Sequence, residues 1–335
     1  MKSLLIFLAG SLFLLSIQSH ANSFDIKEPR WKQLSQAYGF VIGQQTSLER
    51  IEKKFPDLTK DVKEAWFAFY ASALGESIKG VEKELSGQLG DKWPELKEQM
   101  NNQMAEFVSQ QEINRVQAVA FLKEVHARSK GQLPDSIRSA LLSAHPRYSQ
   151  NPALELLDGW KQTYRTKGHS KAKGVDFFIS VPASWSKREG NRPNIIQVFR
   201  SGVGHGPIMC NLMVKSIPLP KGYVLTREEL KEFFQPSELK GMVPDGGKFV
   251  SAQRIVLEGS PAGILVCDMT QQRLDITLTM RMTQFVTIHK NAMISIQFIV
   301  SKMPDQKETL DDLQKQFLPT FKAVANTFVL NERYK

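Results

Sequence analysis

Residues 201–214, SGVGHGPIMCNLMV, set three glycines around a histidine and place a cysteine five residues after it. Two chemistries would use such a stretch. A phosphate-cradling loop needs backbone N–H groups at a helix N-terminus, with Lys and Ser or Thr after the glycines. Here Pro207 follows, and then a strand pattern, so neither nucleotide fingerprint is met. A cysteine nucleophile needs an adjacent base and access to solvent. Cys210 instead alternates with Ile208, Leu212 and Val214 on the inward side of that strand, where it reads as a small hydrophobe or a disulfide partner. His205 sits in the turn. The remaining histidines of the exported part, His126, His145, His169 and His289, are widely spread, with no HExxH pair, and GxSxG is absent. No catalytic residue, no metal site and no cofactor follows from the sequence.

The most distinctive local feature is basic. Lys167, Lys171, Lys173, Lys187, Arg188, Arg192 and Arg200 lie close together with only Asp176 and Glu189 as acids, and Trp185 stands among them. Arginine pairs phosphate or carboxylate bidentately, and tryptophan adds stacking or an interfacial anchor. The candidate anion- or partner-binding set is therefore Lys171, Lys173, Trp185, Lys187, Arg188, Arg192 and Arg200. The competing reading is a solvated basic surface with Trp185 in the core. The linker and the loop at 184–194 flank a strand at 175–181, which would hold them about 20–25 Å apart as two patches.

The elements around these residues fall into two halves. The N-terminus has Lys2, an apolar run at 4–17 and small residues at Ser19 and Ala21. It reads as a signal peptide over 1–21, too short to span a bilayer and removed near Ala21. Export to the periplasm or beyond follows, with no transmembrane span in the mature chain and no nucleic acid as partner. Residues 22–166 carry 20 Lys and Arg against 19 Asp and Glu, whereas 167–335 carry 23 against 15. Anionic lipid headgroups, lipopolysaccharide phosphates or an acidic envelope protein are the partners that fit. Cys210 and Cys267 are the only cysteines. An even count in an exported chain suits one disulfide, with two buried free thiols as the alternative.

Apolar residues recur at three and four over 22–166: Trp31, Leu34, Tyr38, Val41; then Leu58, Val62, Ala65, Trp66, Phe69 and Ala73 on one stripe, and after it Ile78, Val81 and Leu85. The pattern predicts an all-α domain. Ser109-Gln110-Gln111-Glu112 is a capping-box match before the helix holding Val116 and Val125, and 152–164 reads as a helix. RTKGHSKAKG, 165–174, reads as the linker. Strands follow at 175–181, 194–201 and 207–218, then a helix capped by Thr226 and Glu229, then a meander turning at Lys290-Asn291, then a closing helix from Thr309 with Pro319 as a kink. The whole is an α+β chain.

The second half resembles the PsbP-like superfamily, on FFISVPASWSKREG, on the GSPAGILVCDMT strand and on a last helix ending in VANTFVL, over roughly 172–331. Thr327-Phe328 stands where that family usually ends near Ser-Phe, and no lipid-attachment cysteine is present. The N-terminal half resembles uncharacterised exported bacterial helical proteins. The resemblance implies an α/β/α sandwich with a mainly antiparallel sheet over 167–335, non-catalytic binding or assembly roles, and no shared active site. The expectation is a non-enzymatic exported binding or assembly module for an anionic ligand or acidic partner. A cell-envelope hydrolase with its site between the domains is the alternative, and an oligomer assembled through the helical half is a third reading.

Overall fold

A computed structural model describes residues 28–220, 222–273, 276–302 and 307–334. The expected signal peptide lies outside these residues. The chain divides into two compact units, the first ending at Ser149 and the second beginning at Gln150. The 165–174 stretch, expected as the linker, lies inside the second unit.

The first unit is helical. Its elements are α1 (Arg30–Lys54), α2 (Thr59–Tyr70), α3 (Ala73–Leu89), α4 (Lys92–Gln110), α5 (Arg115–Ser129), α6 (Asp135–Ala144) and α7 (Pro146–Gln150), which reaches the border of the unit. The apolar stripe of α1 buries Leu34, Ala37, Tyr38, Val41, Leu48 and Ile51. α1 packs against α2, α3, α4 and α6. Gly39 and Gly43 form the groove that takes Met100 and Met104 of α4. The stripe from Leu58 to Leu85 is two helices, not one. Ser72 leaves the helical conformation and caps α3, its hydroxyl oxygen accepting from the Gly75 N–H. Gly75 is required there, because a Cβ would meet the Phe69 and Tyr70 backbone at 2.4–2.6 Å. The expected capping box at Ser109–Glu112 also moves. α4 runs on through Gln110, and the box that forms is Asn114 with Gln117. Asparagine is as good an N-cap as serine, and Gln117 supplies the reciprocal acceptor.

The second unit is antiparallel sheet with helices. After α8 (Pro152–Leu157) come β1 (Lys161–Arg165), β2 (Phe177–Pro182), β3 (Ser186–Glu189), β4 (Ile195–Arg200) and β5 (Ile208–Ser216). Then follow α9 (Arg227–Phe233), α10 (Pro236–Lys240), β6 (Lys248–Leu257), β7 (Ser260–Arg273), β8 (Ile276–His289), β9 (Ala292–Lys302), α11 (Leu310–Ala325) and β10 (Val329–Leu330). The helix expected at 152–164 stops at Leu157. Gly159 takes a positive φ of 89° and Lys161–Arg165 pairs with β2 as an antiparallel strand. Strand β3 reads in the sequence as a loop, because Ser-Lys-Arg-Glu shows no apolar alternation.

Among the described residues two sheets form, β1-β2-β10 and the seven-stranded β3-β4-β5-β9-β8-β7-β6. One face of the large sheet holds the main core. Phe199, Cys210, Leu212, Phe285, Ile296 and Phe298 meet α11, α8 and the small sheet there. The Phe298 and Phe321 rings stack at 4.5 Å, and α11 runs unbroken through Pro319. On the other face α9 and α10 bring Phe234 and Leu239 over Val286 and Ile288. The fold is α+β, with helices on both faces of the large sheet.

Candidate functional site

Strand register distributes the expected basic set. Residues i and i+2 of a strand share a face. Trp185 comes just before β3 on the core side, and it is 2 % exposed within the main cluster. It anchors the fold and presents nothing to a ligand. Lys171 is spent on Glu189, with Nζ 2.9 Å from the carboxylate, and also donates to the Gly190 carbonyl. Glu189 is held below the usual carboxylate range by that hydrogen bond first and by the Lys171 charge next. This contact corrects the expected separation of 20–25 Å. β3 folds back beside the 166–174 connection, so the two basic segments meet at Lys171 and Glu189.

Lys173 lies in that connection at a positive φ of 54°, exposed. It borders a cleft of about 350 Å³ lined by Lys167, His169, Ser170, Asp176 and Glu332. Both carboxylates there are engaged: Asp176 with Arg165 at 2.7 Å and Asn331 at 3.0 Å, Glu332 with His289 at 3.2 Å and with Lys290. Lys187 is exposed and falls on the core side of edge strand β3, opposite Phe199. Arg192 is exposed in the turn between β3 and β4.

Arg188 and Arg200 differ from the rest. Arg188 stands opposite Val198, and Arg200 opposite Ser186, so the two guanidinium groups are diagonal neighbours on the second face of the sheet. Desolvation, and then the Arg188 charge, push the Arg200 guanidinium down from its ordinary pKa. Among the described residues neither has a carboxylate partner; Arg200 Nε donates to the Gly206 carbonyl at 3.3 Å.

The same face continues from Arg200 to Met209, its register partner on β5. Met209, Asn211, Met213 and Lys215 follow on β5, and Met293, Ser295, Gln297 and Ile299 lie opposite on β9. Three amides stand in direct register across β5, β9 and β8. Asn211 Nδ2 donates to Gln297 Oε1 at 2.9 Å, Gln297 to Gln284 at 3.4 Å, and Gln284 Nε2 to Ser295 Oγ at 3.1 Å. Beside them Cys267, Met282 and Ile299 pack with Met209, Met269 and Met280. The helices on this face pack on β6 and β7 and carry Phe234 and Leu239 over Val286 and Ile288 of β8, with Met293 of β9 beside them. Met209, Met213, Gln284 and Gln297 are left half-buried. The sequence alternation put Met209, Asn211, Met213 and Lys215 outward, and the turn at Lys290-Asn291 signalled the β8–β9 hairpin; the non-local pairing of β5 with β9 that joins them gave no local signal.

The expected disulfide does not form: Cys210 and Cys267 are both free and buried. Strands β9 and β8 separate β5 from β7, a gap of about 14 Å at ~4.8 Å per strand. The register also opposes them. Cys210 aligns with Phe298, Thr283 and Val266, whereas Cys267 aligns with Met282 and Ile299, so the thiols lie on opposite faces. A disulfide needs Cα atoms within about 7 Å. Burial pushes the Cys210 thiol well above its ordinary pKa, away from the nucleophilic thiolate. The glycine stretch before it is a turn: Val203 has a φ of 52° and donates its N–H to the Ser184 carbonyl at 2.9 Å. Among the described residues no three His, Cys, Asp or Glu side chains converge as metal ligands. No helix among them is long and apolar enough to cross a membrane.

No protein-family model matches this sequence, and no curated protein matches it. Among solved structures, one similar chain is LpqN of Mycobacterium tuberculosis, described as involved in cell envelope biogenesis. It has 14% identity and a TM-score of 0.30, over 54% of this chain and 96% of that one. Another is a protein from Bacteroides thetaiotaomicron, with 14% identity and a TM-score of 0.27. That match covers 48% of this chain and 46% of the other, so it spans under half of the other protein's length. At these scores neither likeness carries an argument about function.

Proposed function

We propose that this chain is an exported cell-envelope protein, made with a signal peptide over 1–21. Its second unit, a PsbP-like sandwich, is a non-enzymatic binding module for an acidic partner. The observation that carries the reading is the pair Arg188 and Arg200, side by side on one sheet face without a carboxylate partner among the described residues. Like charges held together repel, and a carboxylate or phosphate placed between them relieves that repulsion with bidentate hydrogen bonds. The excess of 23 basic over 15 acidic residues in 167–335 adds long-range attraction for an anionic partner.

The test is capture of envelope components by the mature protein in low and high salt, beside an Arg188→Ala/Arg200→Ala variant. Binding that falls with salt and is lost in the variant supports the reading. Binding indifferent to both changes would remove it.

A further inference from the structure

The second face of the large sheet is only partly covered. α9 and α10 lie over β6 and β7 and reach Val286 and Ile288 of β8, while the strip from β4 across β5 to the middle of β9 and β8 keeps half-buried Met209, Met213, Gln297 and Gln284. We propose that this strip docks an amphipathic helix of an acidic partner protein, its apolar side on the methionines and its carboxylates against Arg188, Arg200 and Lys215. The proposal rests on the reading of this face as the docking surface and names what occupies it.

Dimensions favour a helix. Three adjacent strands span about 10 Å at ~4.8 Å per gap, close to the ~10 Å diameter of an α-helix with its side chains. The face already accepts helices on its neighbouring strands, so one more continues an existing layer. Methionine suits such a site, being flexible and polarisable enough to repack around a foreign side chain.

Polar groups oppose covering only through the amide N–H and oxygen sites that a partner's own polar groups must meet. The Asn211, Gln297 and Gln284 amides hydrogen-bond to one another and to Ser295, so a partner laid over them strands none of those bonds. The same amides interrupt the apolar surface, which disfavours an acyl chain lying along it.

Charge sets the sign of the partner. Arg200 stands at the Met209 end of β5 and Lys215 near the other end, both exposed. They are about 20 Å apart at ~3.4 Å per residue, the length of some 14 helical residues. The second-face positions of the described strands β3, β4, β5 and β9 carry no carboxylate. A second copy of this chain would therefore set cations against cations, which costs specificity and affinity.

The experiment uses the mature protein carrying 13C-methyl methionine. It is titrated with a synthetic amphipathic helix bearing glutamates along its polar edge, with the same helix bearing lysines, and with phosphatidylglycerol vesicles. The expected result is saturable shifts at Met209 and Met213, none at Met100 and Met104, and binding at least about tenfold weaker for the lysine helix. Charge reversal by Arg188→Glu/Arg200→Glu should invert the preference between the two helices. Shifts with vesicles but not with either helix would keep the docking surface and overturn the helical occupant. Equal response to both helices would overturn the charge argument, and no response to any probe would overturn the docking surface as well. A dimer in light scattering, with those methyls already perturbed, would assign the face to a second copy instead.

Discussion

Ser184 donates twice to Glu155, its backbone N–H to Oε1 and its hydroxyl to Oε2, each at 2.6 Å. Glu155 is 1 % exposed in α8, and Ser184 also accepts the N–H of Val203. One buried carboxyl thus ties α8 to the turn after β2 and, through it, to the glycine turn before β5.

Burial pushes Glu155 up to about 7, and the hydrogen bonds from Ser184 only partly oppose this. A folded-state pKa above the unfolded value gives stability that is complete below the unfolded pKa and lost as pH rises through the folded one. The window here runs from about 4.5 to about 7, and the loss above it is on the order of 3 kcal/mol at 1.36 kcal/mol per unit. Glu155→Gln keeps an acceptor for the Ser184 N–H and cannot ionise. Urea unfolding at pH 5 and pH 8 should show a large drop for the wild type and a smaller one for the variant. Equal drops would mean that Glu155 ionises as freely in the folded protein as in the unfolded chain.

Two glycines of α3 should respond to the same substitution with opposite sign. A Cβ at Gly80 would lie 1.7 Å from the Ala144 carbonyl oxygen, and backbone cannot yield as a side chain does. Gly80→Ala must push α3 from α6 and should cost about 1–3 kcal/mol or more. Gly87 has nothing within 4 Å of its would-be Cβ. Gly87→Ala should stabilise by roughly 0.5–1 kcal/mol, through helix propensity alone. Thermal unfolding of both variants checks the pair; a destabilised Gly87→Ala would mean its helix is not solvated there.

What the sequence shows of this fold is what is periodic over short distances. The alternation of Ile208, Cys210, Leu212 and Val214 gives β5 and its inward face, and Thr226 with Glu229 gives the start of α9. Strand β3 is hidden because a polar edge strand needs no apolar side. The break at Ser72 is hidden because Ala65, Phe69 and Ala73 keep a four-residue spacing across it and no proline marks the stop. The candidate surface is legible only in pieces: the arginines are visible as charge, and the outward Met209 and Met213 as alternation. Their union with Gln297 and Gln284 depends on the β5–β9 pairing, which joins Asn211 to Gln297 across 86 residues and which loop-closure entropy makes a property of the whole chain.

Strand order makes a direct prediction for the cysteines. Denatured, unreduced protein should titrate two thiols per chain with a thiol reagent, and the native protein should react far more slowly, since both residues are 0 % exposed. No thiols in denatured monomer would require β5 beside β7 and overturn the sheet order.

The chain end is held by Thr327, whose hydroxyl oxygen accepts the Ser180 N–H at 2.8 Å, while Phe328 packs on Phe177 with ring centroids 5.1 Å apart. Thr327→Val keeps the shape and leaves the N–H of buried Ser180 in β2 without its acceptor. The cost should be about 1–3 kcal/mol. Thr327→Ser retains the oxygen and should unfold within about 1 kcal/mol of wild type, the small loss coming from a buried methyl. If valine and serine were equally tolerated in urea unfolding, the hydroxyl would not be what joins the end of α11 to β2.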